Sequence, residues 1–111
     1  MTFYPVPKPT RKRHKQTRGQ RAKITQKARQ EVYERSQMKC ERCGRTRAYS
    51  FEVAHLISAA QGGRGDDPAN LALLCGPSVN SGTCHNFADY TKEGREWRQN
   101  KRKELLIHYG W

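Results

Sequence analysis

No apolar run in this chain approaches the ~20 residues a membrane-spanning helix requires. Residues 1–13 hold no apolar centre of a secretory leader. Acidic residues are scarce, with 10 Asp and Glu against 22 Lys and Arg. Hydrophobic residues are also few, at 34% of 111. These shortages argue against a membrane protein and a large self-sufficient core. At this length they leave one small domain with tails, of a kind that a metal, disulfides or oligomerisation often stabilises. A reducing, cytoplasmic setting is expected. The net charge of +12 repels itself in a compact state and suits a polyanionic partner, of which nucleic acid is the usual one. The plainer reading is a solvated, solubilising surface. Basic residues on both flanks of the cysteine region favour nucleic acid.

What is present is concentrated in residues 40–89, which hold all four cysteines and two of the four histidines. Cys40 and Cys43 are two residues apart, and Gly44 follows. Two thiolates at this spacing grip one tetrahedral ion while the glycine lets the chain turn. Cys75 and Cys84 form a second pair, eight residues apart. Residues 76–83 are turn-forming apart from Val79, so they loop out while the sulfurs meet. All four cysteines are assigned to one structural zinc. The rival reading, two disulfides, conflicts with a reducing compartment.

Residues 1–23 read as a basic flexible arm: Pro5, Pro7 and Pro9 disfavour helix, and Arg11, Lys12 and Arg13 begin a run of charge without apolar period. Residues 24–38 read as a helix capped by Thr25, with Ile24, Ala28, Val32 and Tyr33 inward and Lys27, Arg29, Gln30, Glu34 and Arg35 outward. Residues 49–57 read as a strand with Phe51, Val53 and His55 on one face, and residues 70–74 as its partner. Gly62 and Gly63 mark a turn. A helix follows Cys84, placing His85 and Asp89 on one face. Residues 91–108 read as a very basic helix interrupted near Gly94, with Trp97, Leu105 and Leu106 toward the body.

In order and spacing, Cys40-x-x-Cys43, His55, Gly62-Gly63, Asn70-Leu71, Leu74-Cys75 and Cys84-His85-Asn86 resemble the HNH endonuclease family over about residues 38–92. Fourteen residues separate His55 from Asn70 and fourteen separate Asn70 from His85. In the compact form of the family the second interval is eight. The excess of six equals the excess in the Cys75–Cys84 gap, so one insertion in the knuckle explains both.

The resemblance implies an α+β fold: a small ββα-metal (His-Me finger) core with a structural zinc, flanked by basic helices. On this reading residues 24–111 form the nuclease domain after the arm of residues 1–23. His55 resembles the general base, an imidazole suited to proton transfer near neutrality. Asn70 resembles the residue that fixes the loop carrying that histidine. His85 resembles a ligand of one catalytic divalent ion (Mg2+, Mn2+, Ni2+ or Zn2+). Ala54 departs from the pattern, because many members place a metal-binding aspartate there. Asp89 is the expected replacement, with Glu52, Asp66 and Asp67 as weaker candidates. Arg11, Lys12, Arg13, Arg42, Arg64, Arg98, Lys101 and Arg102 are expected to hold DNA phosphates. The resemblance also implies a bacterial or phage-infected host and a helper protein such as phage packaging machinery. With no second recognition domain evident in the sequence, nicking or cleavage with weak sequence preference is expected. The alternatives are a non-catalytic zinc-bound nucleic-acid-binding module and a zinc-stapled ribosomal or assembly protein.

Overall fold

A computed structural model describes residues 17–110. The described chain forms α1 (Arg18–Ala22), α2 (Gln26–Ser36), β1 (Ser50–His55), β2 (Leu71–Gly76), α3 (Cys84–Tyr90) and α4 (Lys92–His108). Single 3-10 turns lie at Ala59–Gln61 and Pro68–Asn70. The result is a mixed α/β fold around a two-stranded sheet. Among the described residues no helix is long and apolar enough to cross a membrane.

β1 and β2 pair antiparallel, with Ser50 opposite Gly76 and His55 opposite Leu71. Every residue of β2 is buried, because both faces of the hairpin are covered. Val53, Leu71 and Leu73 pack with Ala28 and Val32 of α2. Ala54, Ala72 and Leu74 pack on the opposite side with Ala88 of α3 and Leu105 of α4. The period of two in the strands thus separates two apolar clusters, and the helical face expected in α2 fills one of them. Thr25 caps α2 as expected, accepting a hydrogen bond from the Ala28 N–H at 3.1 Å.

Three expectations change. Residues 18–22, read as arm, are helical. Thr17 accepts from the Gln20 N–H, and the Gln20 side chain accepts from the Thr17 N–H. This reciprocal cap starts a helix within a charged stretch that has no apolar period. Residues 1–16, including Arg11, Lys12 and Arg13, lie outside the described residues. Second, α4 runs without a break through Gly94. A Cβ there would lie 1.9 Å from the Phe87 carbonyl oxygen of α3, so the glycine serves close helix approach. Third, Arg35 points inward.

The Arg35 guanidinium binds both carboxylate oxygens of Glu41 at 2.6 and 3.0 Å. It also donates to the carbonyls of Pro68 and Leu71, each at 2.8 Å, and to the Tyr109 hydroxyl at 3.2 Å. Glu41 in turn accepts from the Leu73 N–H at 2.8 Å. Both charged side chains are 8% exposed, so the pair is effectively out of water. One side chain therefore ties α2 to the knuckle, to β2 and to the C-terminal end. Arg35→Ala leaves the buried Glu41 charge with only Lys101, at 3.9 Å, as a cation beside it. The expected loss is about 3–5 kcal/mol, read as a lowered urea midpoint of the zinc-loaded protein. A midpoint unchanged from wild type contradicts this role.

Candidate active site and metal centre

Two turns bring the four cysteines together. Cys40 and Cys43 lie in a tight turn closed by the Gly44 N–H donating to the Cys40 carbonyl at 2.9 Å. Gly44 takes a φ of 77°, the left-handed region that glycine enters without strain. Cys75 lies near the end of β2 and Cys84 opens α3. The intervening loop folds on itself: the Thr83 hydroxyl bonds the Pro77 and Asn80 carbonyls, and Asn86 donates to the Ser78 carbonyl. The four sulfurs lie within 4.8 Å of one another and none is in a disulfide. Cys43 and Cys75 sulfurs are 4.0 Å apart. Sulfurs around a tetrahedral zinc, at ~2.3 Å from the ion, are about 3.8 Å apart. The cluster is positioned to hold a metal ion such as zinc.

Local hydrogen bonds set the thiol chemistry. Burial raises Cys40, but the backbone of Cys43, Cys75 and Arg42 hydrogen-bonds its sulfur and brings it down to about 7. Burial pushes Cys84 up to about 12; the neighbouring sulfurs add to this, against an opposing hydrogen bond from Arg42. Cys75 and Cys84 are both raised, chiefly by burial, so negative charge is resisted there until a cation joins the cluster. Arg42 also stacks over the Phe87 ring at 3.6 Å, so it braces the knuckle against α3.

The second site is a cavity of about 390 Å3 where the end of β1 meets α3 and α4. His55, His85, Asp89 and Arg98 line it, and Ala54 forms part of its apolar wall. Asn70 does not line it and lies 2% exposed beneath the neighbouring loop. Its side-chain oxygen accepts from the Ile57 N–H at 2.8 Å. Its amide donates to the carbonyls of Arg64 and Ile57 at 2.9 and 3.3 Å. The loop leaving His55 is thereby fixed to the segment around Gly65. Gly63 has no room for a side chain, since a Cβ would sit 1.8 Å from the Ile57 carbonyl oxygen.

That segment grips the N-terminal side of the molecule. The Gly65 N–H donates to the Arg21 carbonyl at 2.9 Å, and the Gly65 carbonyl accepts from Thr25 at 3.1 Å. A Cβ on Gly65 would lie 2.2 Å from the Ala22 carbonyl oxygen. The same Ala22 carbonyl is 2.6 Å from His55 Nε2. Sequence reasoning missed this contact, because a backbone carbonyl carries no side-chain signature; the glycine at position 65 was the available signal.

His85 is held from both sides. Its Nδ1 lies 2.7 Å from Glu52 Oε1, and its Nε2 lies 3.4 Å from Asp89 Oδ2. Glu52 also accepts from the Ser78 N–H at 3.2 Å and lies where a Cβ on residue 76 would be, so Gly76 makes room for it. Glu52, read as a weak ligand candidate, is therefore a direct partner of His85. Asp66 and Asp67 point elsewhere. Asp66 pairs with Arg64 through two bonds of 2.8 Å. Asp67 caps the Pro68–Asn70 turn and pairs with Arg102 at 3.2 Å.

The same contacts sort the basic residues. Arg42 serves the knuckle, Arg64 is paired to Asp66, and Arg102 is paired to Asp67. Lys101, 12% exposed, lies between Glu41 and Glu104 at 3.9 and 3.2 Å. Of the described candidates only Arg98 lines the cavity with the histidines, 3.7 Å from Asp89.

A two-stranded hairpin followed by a helix, with a four-cysteine metal knuckle and two histidines facing one cavity, defines a small metal-stapled domain with a polar site. Residues 40–86 match the family model of the HNH endonucleases. No curated protein and no solved structure matches the chain at a significant level.

Proposed function

We propose that the protein is a metal-dependent HNH endonuclease of ββα-metal fold that hydrolyses DNA phosphodiester bonds with weak sequence preference. The observation that carries this reading is the convergence of His55 and His85 on one cavity, with Asn70 locking the loop below.

The hydrogen bonds support a placement of the ring protons. A carbonyl only accepts, so His55 carries its proton on Nε2, toward Ala22. Nδ1 is left as the lone pair that takes a proton from water attacking phosphorus. His85 Nδ1 likewise faces an acceptor, the Glu52 carboxylate, and its Nε2 is directed to Asp89, where an ion would take the place of any proton between them. One imidazole nitrogen and one carboxylate, 3.4 Å apart, form a donor set that suits a divalent ion and replaces the ligand Ala54 cannot supply. When bound, that ion supplies charge stabilisation at the scissile phosphate. Arg98 beside Asp89 adds a cation for a phosphate oxygen.

Asp89→Ala tests the donor set. Cleavage of a short duplex by the zinc-loaded protein is expected to need about 10–100-fold more divalent ion, in line with metal-site losses of that size. An unchanged metal titration removes Asp89 as a ligand. Ala54 is also the observation that favours the second reading, a non-catalytic zinc-bound nucleic-acid-binding module, in which the Asp89–Arg98 pair is purely structural.

A further inference from the structure

We propose that the cleft between α4 and residues 56–61 is a track for the phosphates of one DNA strand beside the cavity, an inference that rests on the DNA-cleaving reading. The cleft holds about 520 Å3. Arg95, Arg98, Arg102 and Lys103 line one wall, and Ser58 and Gln61 stand on the other. Among the described residues no carboxylate lines it. A second cleft, of about 640 Å3 along α2, is lined by Glu31, Glu34 and Asp66 against Lys27 alone, so a polyanion is directed to the first.

Three further observations make the α4 cleft a path rather than a basic patch. Ser58 and Arg98 line both the cleft and the cavity that holds His55 and His85, so the two are continuous. Arg95, Arg98 and Arg102 follow the i, i+3, i+7 spacing of one helix face. They span about 10 Å along the axis, close to the rise of three nucleotides at ~3.4 Å each. Asp89 and Asp67 steady Arg98 and Arg102. Arg95 and Lys103 are exposed and form no ion pair among the described residues. They hold charge in reserve for a ligand.

A strand seated here presents its next phosphate to the cavity, which fixes the register of cleavage. The contacts are to backbone phosphate, which carries no direct sequence information. The cleft therefore also accounts for weak sequence preference.

The test is the salt dependence of duplex binding by the full, zinc-loaded chain with no other divalent ion, followed by fluorescence anisotropy. Arg95→Ala/Lys103→Ala is compared with Arg45→Ala/Arg47→Ala, which removes the same charge from exposed positions in the knuckle loop. The cleft pair is expected to reduce the slope of log K against log salt by about 2, near 0.9 per phosphate lost, and the knuckle pair to leave it unchanged. Equal changes in both variants overturn the track and leave only diffuse charge. In cleavage assays the cleft pair is expected to raise KM about tenfold or more with kcat retained. If the wild type fails to cleave with every divalent ion, the nuclease reading fails, while the slope comparison still decides whether the cleft binds DNA.

Discussion

Cys40→Ser is expected to release zinc and unfold the domain. The apolar clusters are small, and Cys40, Cys75 and Cys84 are themselves part of one of them. Structural zinc supplies about 10–16 kcal/mol of apparent binding free energy in small modules near neutrality. That equals or exceeds the whole stability of a typical domain, roughly 5–15 kcal/mol. The knuckle joins the segment before β1 to the end of β2 and the start of α3, so its loss frees every element around the cavity. Circular dichroism and zinc content of the purified variant check this together. A folded, metal-free variant refutes the zinc assignment. The pH dependence follows from the same chemistry. Metal binding displaces thiol protons, and the Cys84 thiol is held up to about 12. Zinc affinity therefore falls as pH falls, and chelator-induced unfolding should accelerate in acid.

His55→Ala is expected to remove cleavage while sparing zinc content, fold and DNA affinity. His55 is half-buried at the edge of the sheet and is no part of the cysteine cluster. Its ring makes one described hydrogen bond, to Ala22, so truncation leaves one carbonyl to be rehydrated. The general-base contribution is typically about 10²–10⁴-fold in rate, large against any structural effect of the change. Retention of full activity removes His55 as the base. Loss of activity accompanied by loss of zinc makes His55 a structural residue instead.

Much of the site was legible because its chemistry resides in side chains at fixed spacing. The two cysteine pairs, read as one metal site, do lie together with their sulfurs within 4.8 Å of one another, and residues 76–83 loop out between Cys75 and Cys84. β2, read as the partner strand, pairs antiparallel with β1. What escaped notice depends on tertiary partners. Arg35 reads as surface charge on the outward face of its helix; only its burial with Glu41, six residues on, makes the pair a hub. Gly94 reads as a helix break by propensity, yet the approach of the Phe87 carbonyl makes glycine the residue that fits. Residues 17–23 read as arm because helix α1 offers the core a single buried alanine, Ala22. Its service to His55 runs through a carbonyl that any residue could provide.

The proposed activity depends most heavily on His55 acting in a metal-supported hydrolysis. The most direct test is relaxation of supercoiled plasmid by wild type and His55→Ala at equal zinc content, titrated with Mg2+, Mn2+, Ni2+ and Zn2+. Nicked circles are expected with at least one ion for the wild type, and with none for the variant. No nicking by the wild type with any ion, despite salt-sensitive binding to the same plasmid, contradicts the account: Ala54 then marks a site without catalysis, and the protein is a DNA-binding module.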